Sequence, residues 1–401
     1  MEKLRNTVNK IAYAQDHAKL SPLHRSLVPL LSIASFLYKI ALSLRRSLYH
    51  HGIFRRHRLP VPVISVGNLT WGGNGKTPMV ELIALSLADS GISPLILSRG
   101  YAGGDEARML QRHLLGRPVK IGVGADRAAI AASFFKKYGY LDHHKEQNHI
   151  SSEKIGAAIL DDGMQHWSLH RDLEIVMVNG LMLWGNRRLL PLGPLREPLN
   201  ALRRADVVVL HHADLISEKN LQDIELMIRE IKESVTIFFT RMAPSHFFNV
   251  GNINSRKPLE AVSNSILLCV SAVGSANAFV LATKKLGAFF VDQLEFSDHH
   301  IFQPKDMERI RRRLEELQNK FGSKPIVIVT EKDYDRDPEI LNHLNPFEVL
   351  TLCSKLQIIP HKGCTEDSFK KLLKQLVEDK LHGANQDQQV LFSTKGTLSR
   401  Q

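Results

Sequence analysis

Residues 62–78, PVISVGNLTWGGNGKTP, constrain the architecture more than any other part of the chain. A short apolar run, Val61, Val63, Ile64 and Val66, leads into a glycine-rich turn that closes on Gly75, Lys76 and Thr77. The following MVELIALSLADSG is apolar at helical spacing through Val80, Leu82, Ile83 and Leu87. Strand, glycine loop and helix in that order are the context of a phosphate-binding loop. Glycines let backbone N–H groups turn inward onto phosphate oxygens, and the helix N-terminus adds partial positive charge. Thr70, Trp71, Gly72, Gly73, Asn74, Gly75, Lys76 and Thr77 are therefore expected to cradle a nucleotide. Lys76 reaches toward the β- and γ-phosphates and the Thr77 hydroxyl completes a Mg²⁺ shell. The usual pattern, G-x-x-x-x-G-K-[ST], has glycine where this chain has Thr70, and a flexible turn before a core helix is the competing reading.

At 401 residues the chain exceeds one comfortable core, so two domains are expected. The fold class that follows is α/β, a P-loop NTPase-like, mostly parallel sheet with a second, smaller α/β domain. Residues 1–58 form a basic arm, 59–240 the P-loop core, 241–383 the smaller domain and 384–401 a polar, disordered tail. The arm holds eleven Lys/Arg against Glu2 and Asp16, which is most of the formal net charge of +12. The body is nearly neutral, which disfavours a nucleic-acid groove. Cys269, Cys353 and Cys364 lack metal-ligand spacing and read as apolar residues in a reducing compartment.

Within the arm, Ser26–Tyr38 is uncharged but short of the ~20 residues that span a bilayer. Ser32, Ser35, Lys39, Ser43 and Arg46 recur at three- and four-residue steps, with leucines and alanines on the remaining surface. A helix of this kind with basic flanks suits a membrane surface, the residues from Arg45 to Arg58 meeting anionic headgroups. A helix packed on the protein's own core, or a cleaved targeting peptide, are the alternatives.

Downstream, Pro94–Leu97 reads as a strand ending at Arg99, and a turn at Gly103-Gly104 carries Asp105 and Glu106. Polar residues at the C-terminal ends of strands in an open α/β sheet face the ligand crevice. Residues 142–154, with His143, His144 and His149, read as a surface loop. Ala157–Leu160 then runs into Asp161 and Asp162, an apolar strand ending in paired acids, one able to hold Mg²⁺ while the other orients it or a nucleophile. LLPLGPLREP (189–198) is loop by its three prolines and presents Arg196 and Glu197. After VTIFFT (235–240) a Ser/Asn/Gly-rich stretch marks a change of region, and a second α/β unit with its own small parallel sheet is expected. It includes Asp298-His299, either an acid–base pair or a helix cap beside a surface histidine.

Taken in order, VGNLTWGGNGKTP, SRGY, GGDE, DDGMQH, LLPLGPLREP, FSDHH and VTEKD resemble the tetraacyldisaccharide 4'-kinases of lipid A synthesis over roughly residues 20–375. Thr70 is consistent with that family. The resemblance implies transfer of the ATP γ-phosphoryl group to the 4'-hydroxyl of a tetraacylated glucosamine disaccharide 1-phosphate, with Asp161 and Asp162 serving Mg²⁺. It implies Asp105 as catalytic base, assisted by His299, with Lys76 on the phosphates. Arg99, Gln165, His166, Arg196 and Glu197 match positions near the reacting groups. It further implies association with a membrane surface, and the chain is expected to be a monomer. The basic leader, the 142–154 insert and the tail point to a mitochondrial member, the alternative being the cytoplasmic face of a bacterial inner membrane. Two other classes stay open: a P-loop GTPase or metallochaperone-like NTPase, with HHAD (211–214) where a guanine-reading motif lies, and a membrane adaptor with an inert P-loop.

Overall fold

The computed structural model describes residues 2–14, 16–100, 104–141 and 153–380, with the side chains of 2–6 and of Asp105 outside that description. The polar loop with its three histidines and the C-terminal tail therefore lie outside the described residues.

Strands β1 (Val63–Asn68), β2 (Ser93–Ser98), β3 (Lys120–Val123), β4 (Ile155–Asp161), β5 (Leu173–Asn179) and β6 (Val207–His211) form the first half. Between them lie α3 (Lys76–Asp89), α4 (Asp105–His113) and α5 (Arg127–Tyr138), preceded by α1 (Glu2–Tyr13) and α2 (Pro22–His50). After α6 (Glu218–Ile231) come β7 (Thr236–Asn249), β8 (Asn252–Lys257), β9 (Ile266–Ser271), α7 (Ala276–Lys284) and β10 (Phe290–Glu295). The chain continues through α8 (Pro304–Phe321), β11 (Ile326–Thr330), α9 (Glu331–Arg336), a short helical turn, β12 (Val349–Ile359) and a helix at 366–380.

Strands β1, β2, β4, β5 and β6 are buried along their whole length, as sheet strands covered on both faces must be. Their alternate residues feed two cores. Ile64, Val66, Ile159, Ile175 and Val209 pack with Met79, Val80 and Ile83 of α3. Val176, Val178, Val208 and Leu210 pack with Leu221, Ile224 and Ile228 of α6.

The second unit does not keep a separate sheet, contrary to the expectation from sequence. One 12-stranded sheet runs in the order β10-β9-β11-β12-β7-β6-β5-β1-β4-β2-β3, with β8 beside β7. The join is the pairing of β12 with β7, antiparallel from Leu350↔Asn249 to Ile359↔Phe239. Strand β7 continues nine residues past the apolar run that marked it in sequence, through Pro244 and Ser245. Proline donates no ladder hydrogen bond and is tolerated at a bulge. The register shifts between Cys353 and Ser354, with Pro244 opposite Ser354 and the Ser245 hydroxyl donating to the Cys353 carbonyl at 3.1 Å.

This join sets the position of the site. Apart from the antiparallel β7–β8 hairpin, the pairings within each half are parallel, so antiparallel β7 and β12 point the carboxyl ends of the two halves at each other. Strand β6 ends at His211 beside Thr240, and β11 ends at Thr330 beside Leu352, which faces Phe247. Seven residues of β7 separate these levels, roughly 23 Å at ~3.3 Å per residue. Ligand crevices of open α/β sheets lie outside carboxyl strand ends, and here two such ends share one cleft.

Helix α2 lies along the first half. It touches the body through a stripe: the Ser35 hydroxyl donates to the Leu189 carbonyl (3.0 Å), Tyr38 to the Arg196 carbonyl (2.8 Å) and Arg45 to the Gln165 carbonyl (2.9 Å). Only Ser35 is buried, while Leu23, Leu30, Ile33, Phe36, Leu37, Ile40 and Leu44 are 49–70% exposed. Of the polar stripe read from sequence, Lys39, Ser43 and Arg46 face solvent instead. By length and composition this 29-residue helix could cross a membrane, more than its uncharged core suggests.

Candidate active site

The cleft between the two halves encloses about 690 Å³ and contains the glycine loop. Gly75 is the N-cap of α3 with φ +75°, and a Cβ there would meet the His211 ring at 2.7 Å. The loop is tied internally by Asn74, whose Nδ2 donates to the Thr70 hydroxyl and the Gly72 carbonyl, both at 3.2 Å. Thr70 pairs its backbone with Leu195 and is nearly buried, so its side chain anchors the loop where glycine would leave a gap. Among the described residues, the backbone N–H groups of Gly72, Asn74 and Gly75 have no acceptor, the condition of donors reserved for an anion.

At the end of β4 the two aspartates differ sharply. Asp162 has φ +51°, and its Oδ1 accepts from Arg196 Nη1 at 2.6 Å and lies 3.7 Å from Lys76 Nζ. Burial raises its pKa, but Lys76 and Arg196 outweigh burial and hold it at about 2. Asp161 is 3% exposed, and burial, helped by the negative charge of Glu106, pushes its carboxyl well above the ordinary range. Its Oδ1 is buried without a hydrogen-bond partner. A buried carboxyl oxygen lacking a donor, next in sequence to a second carboxylate and in the same cleft as Thr77, suits a hard cation. No cluster of three or more His, Cys, Asp or Glu stands ready for a metal among the described residues. Mg²⁺ needs none, since it is held by one or two carboxylates plus phosphate oxygens.

Gln165 and Glu197 stand behind this pair rather than in the cleft. Gln165 Oε1 accepts from Arg196 at 3.1 Å, while its Nε2 donates to the Asn68 carbonyl and to Glu197. Arg204 grips Glu197 through both nitrogens at 2.7 and 2.9 Å. His166 sits further along the same loop at 3.0 Å from the Ser168 hydroxyl. Burial, then Arg127, Arg171 and Arg45, lower its pKa to about 4. Arg99 and Arg196 line the cleft.

Across the cleft, residues of the second half meet the start of α4. Asp105 begins α4, and its side chain lies outside the described residues. Its neighbour Glu106 accepts from Lys332 Nζ at 3.1 Å. Lys332 also reaches His299 Nε2 at 3.3 Å and lies 3.9 Å from Asp298. His299 has φ +61°, and its Nε2 is 3.8 Å from Asp298 Oδ2, so Asp298 serves this cluster and not a helix cap. Glu331 and His113 continue the wall: His113 bridges Glu81 of α3 (3.0 Å) and Glu331 of α9 (2.8 Å). Burial disfavours its charge, but the two carboxylates override burial and raise its pKa to about 10.

Sequence reasoning did not single out Glu106, His113, Lys332 or His211. VTEKD and GGDE carried Lys332 and Glu106 within quoted motifs, and HHAD carried His211. His211 is completely buried beneath Gly75, with Nδ1 3.0 Å from the Thr240 hydroxyl, so it cannot read a nucleobase as a guanine motif would.

A glycine loop at a carboxyl strand end, an ammonium beside paired aspartates and a second half closing the crevice define a P-loop phosphotransferase. The family model for tetraacyldisaccharide-1-P 4'-kinase matches residues 27–377. A probable mitochondrial tetraacyldisaccharide 4'-kinase of Arabidopsis thaliana is 58% identical over 392 residues, 95% of this chain and 99% of the relative. A tetraacyldisaccharide 4'-kinase of Halothermothrix orenii is 31% identical over 76% of this chain and 81% of its own length. Among solved structures, LpxK from Aquifex aeolicus in complex with ATP matches with TM-score 0.57 and 26% identity, covering 88% of this chain and 98% of that one. The chain belongs to the tetraacyldisaccharide 4'-kinase family.

Proposed function

We propose that the chain transfers the γ-phosphoryl group of ATP to the 4'-hydroxyl of a tetraacylated glucosamine disaccharide 1-phosphate. The observation that carries this reading is the set Lys76, Asp161 and Asp162 at the glycine loop, facing Glu106, His299 and Lys332 across one cleft. The N–H groups of Gly72, Asn74 and Gly75 and the Lys76 ammonium hold the β- and γ-phosphates. Thr77, Asp161 and Asp162 are the oxygen ligands for Mg²⁺, which when bound neutralises phosphate charge. Asp105 accepts the proton of the 4'-hydroxyl while that oxygen bonds to the γ-phosphorus and the bond to the β,γ-bridging oxygen breaks, releasing ADP. His299, beside Asp298 and Lys332, assists Asp105. Arg196, steadied by Gln165 and Glu197, helps Lys76 keep Asp162 ionised, and Arg99 lines the cleft, while His166 stands outside the cleft lining.

The exposed apolar face of α2 and the arginines that follow it support attachment to a membrane surface, where a tetraacylated acceptor resides. The Arabidopsis relative's mitochondrial name supports a mitochondrial location. The reading has a monomer working with residues 59–240 as core and 241–383 as closing unit, both of which line the cleft.

Purified protein given ATP and detergent-dispersed acceptor forms the 4'-phosphate, and the Lys76→Ala variant does not. No product from the wild type, while a bacterial relative makes it in parallel, overturns the assignment.

A further inference from the structure

Where the second half touches the glycine loop, three polar groups meet. The Gly73 carbonyl accepts from Asn179 Nδ2 at 2.9 Å and from the Ser275 hydroxyl at 2.7 Å. Asn179 Nδ2 also lies 2.9 Å from Ser275 Oγ, and its Oδ1 accepts from Leu181 N at 3.0 Å, fixing the amide. Asn179 ends β5 beside β1 and is 2% exposed, whereas Ser275 stands at the N-terminus of α7 in the other half. The approach is backbone to backbone: a Cβ on Gly274 would lie 2.1 Å from Gly73 N, and one on Gly73 would lie 3.2 Å from Gly274.

We infer that Asn179 and Ser275 are positioning residues that clasp the glycine loop from both halves of the molecule and preset it for phosphate. In a planar trans peptide the C=O of one residue and the N–H of the next point in opposite directions. Two donors on the Gly73 carbonyl therefore fix the direction of the Asn74 N–H, one of the loop donors without an acceptor. Because Ser275 belongs to the second half, the clasp also makes the order of the nucleotide loop depend on that half being seated. Glycine at 274 is what allows the seat.

The inference rests on the reading that this loop holds ATP phosphates, so its test uses nucleotide binding alone, without acceptor. The full-length wild type and the variants Ser275→Ala, Ser275→Thr and Gly274→Ala are titrated with a fluorescent ATP analogue, and KM for ATP and kcat are then measured. Ser275→Ala is expected to bind about three- to tenfold more weakly, the worth of one hydrogen bond, and Gly274→Ala, which forces the two backbones apart, at least as weakly. Ser275→Thr, which keeps the hydroxyl, restores most of the affinity. KM for ATP rises by that factor, and kcat at saturating ATP falls by less. Unchanged or tighter binding by Ser275→Ala and Gly274→Ala overturns the clasp, since the 273–275 loop then acts as a plug or a bystander. A wild type that binds no analogue overturns the nucleotide reading itself.

Discussion

Gly75 meets two demands at once: a left-handed backbone at the start of α3 and a ring directly beneath it. Alanine satisfies neither. Gly75→Ala should destabilise the fold by about 1–3 kcal/mol, the usual cost of a strained backbone position, measurable as a lower midpoint in denaturant. An unchanged midpoint would mean that His211 moves aside freely. Asp105 carries the other residue-scale expectation. Loss of a general base lowers turnover by at least about a hundredfold, so Asp105→Ala should retain ATP binding and lose that much kcat. A rate near wild type removes Asp105 from the base role. Both aspartates of DDGMQH were legible in sequence, but their opposite protonation behaviour was not. It comes from Arg196 and Lys76 on one and from burial on the other, and burial has no local signature.

At the scale of elements, His113 joins α3, α4 and α9 through Glu81 and Glu331. Its pKa is raised from 6.5 to about 10 on folding, so the folded state holds a proton that the unfolded chain releases. That contribution is complete below about pH 6.5 and is lost as pH rises toward 10. The melting temperature of the wild type should therefore fall across this window more steeply than that of His113→Gln. Parallel curves would show that the bridge contributes nothing. Helix α2 is the other element with a consequence of its own. Its outward apolar face should hold the protein on anionic vesicles, and deleting residues 1–50 should release it into the supernatant after flotation. Retention of the truncated chain would place the anchor elsewhere. The sequence established that α2 is apolar with basic flanks. Which side would face the body was decided by three hydrogen bonds to residues more than a hundred positions away.

For the whole molecule, the decisive feature is that two parallel half-sheets meet head to head. Lys332 belongs to one half, yet its ammonium sits with Glu106 of the other and with Asp298 and His299. Removing that cation leaves two carboxylates facing each other in the wall of the cleft, where low dielectric strengthens their repulsion. Lys332→Met should lower kcat by at least about tenfold, the smaller side of losses for charged groups in such sites, with Lys332→Arg partly restoring it. Equal rates for Lys332→Met and wild type would reduce Lys332 to a surface tie. What the sequence determined by itself is local: the loop-to-helix turn at 70–77, the acids closing β4 and the apolar strands of both halves. These depend on neighbours within a few residues, so they can be read in order along the chain. Only the tertiary structure joined the two sheets, carried β7 through Pro244, seated Ser275 on the glycine loop and set Lys332 and His299 across the cleft from it. Those choices rest on pairing between segments over a hundred residues apart, and no short stretch of sequence records its distant partner.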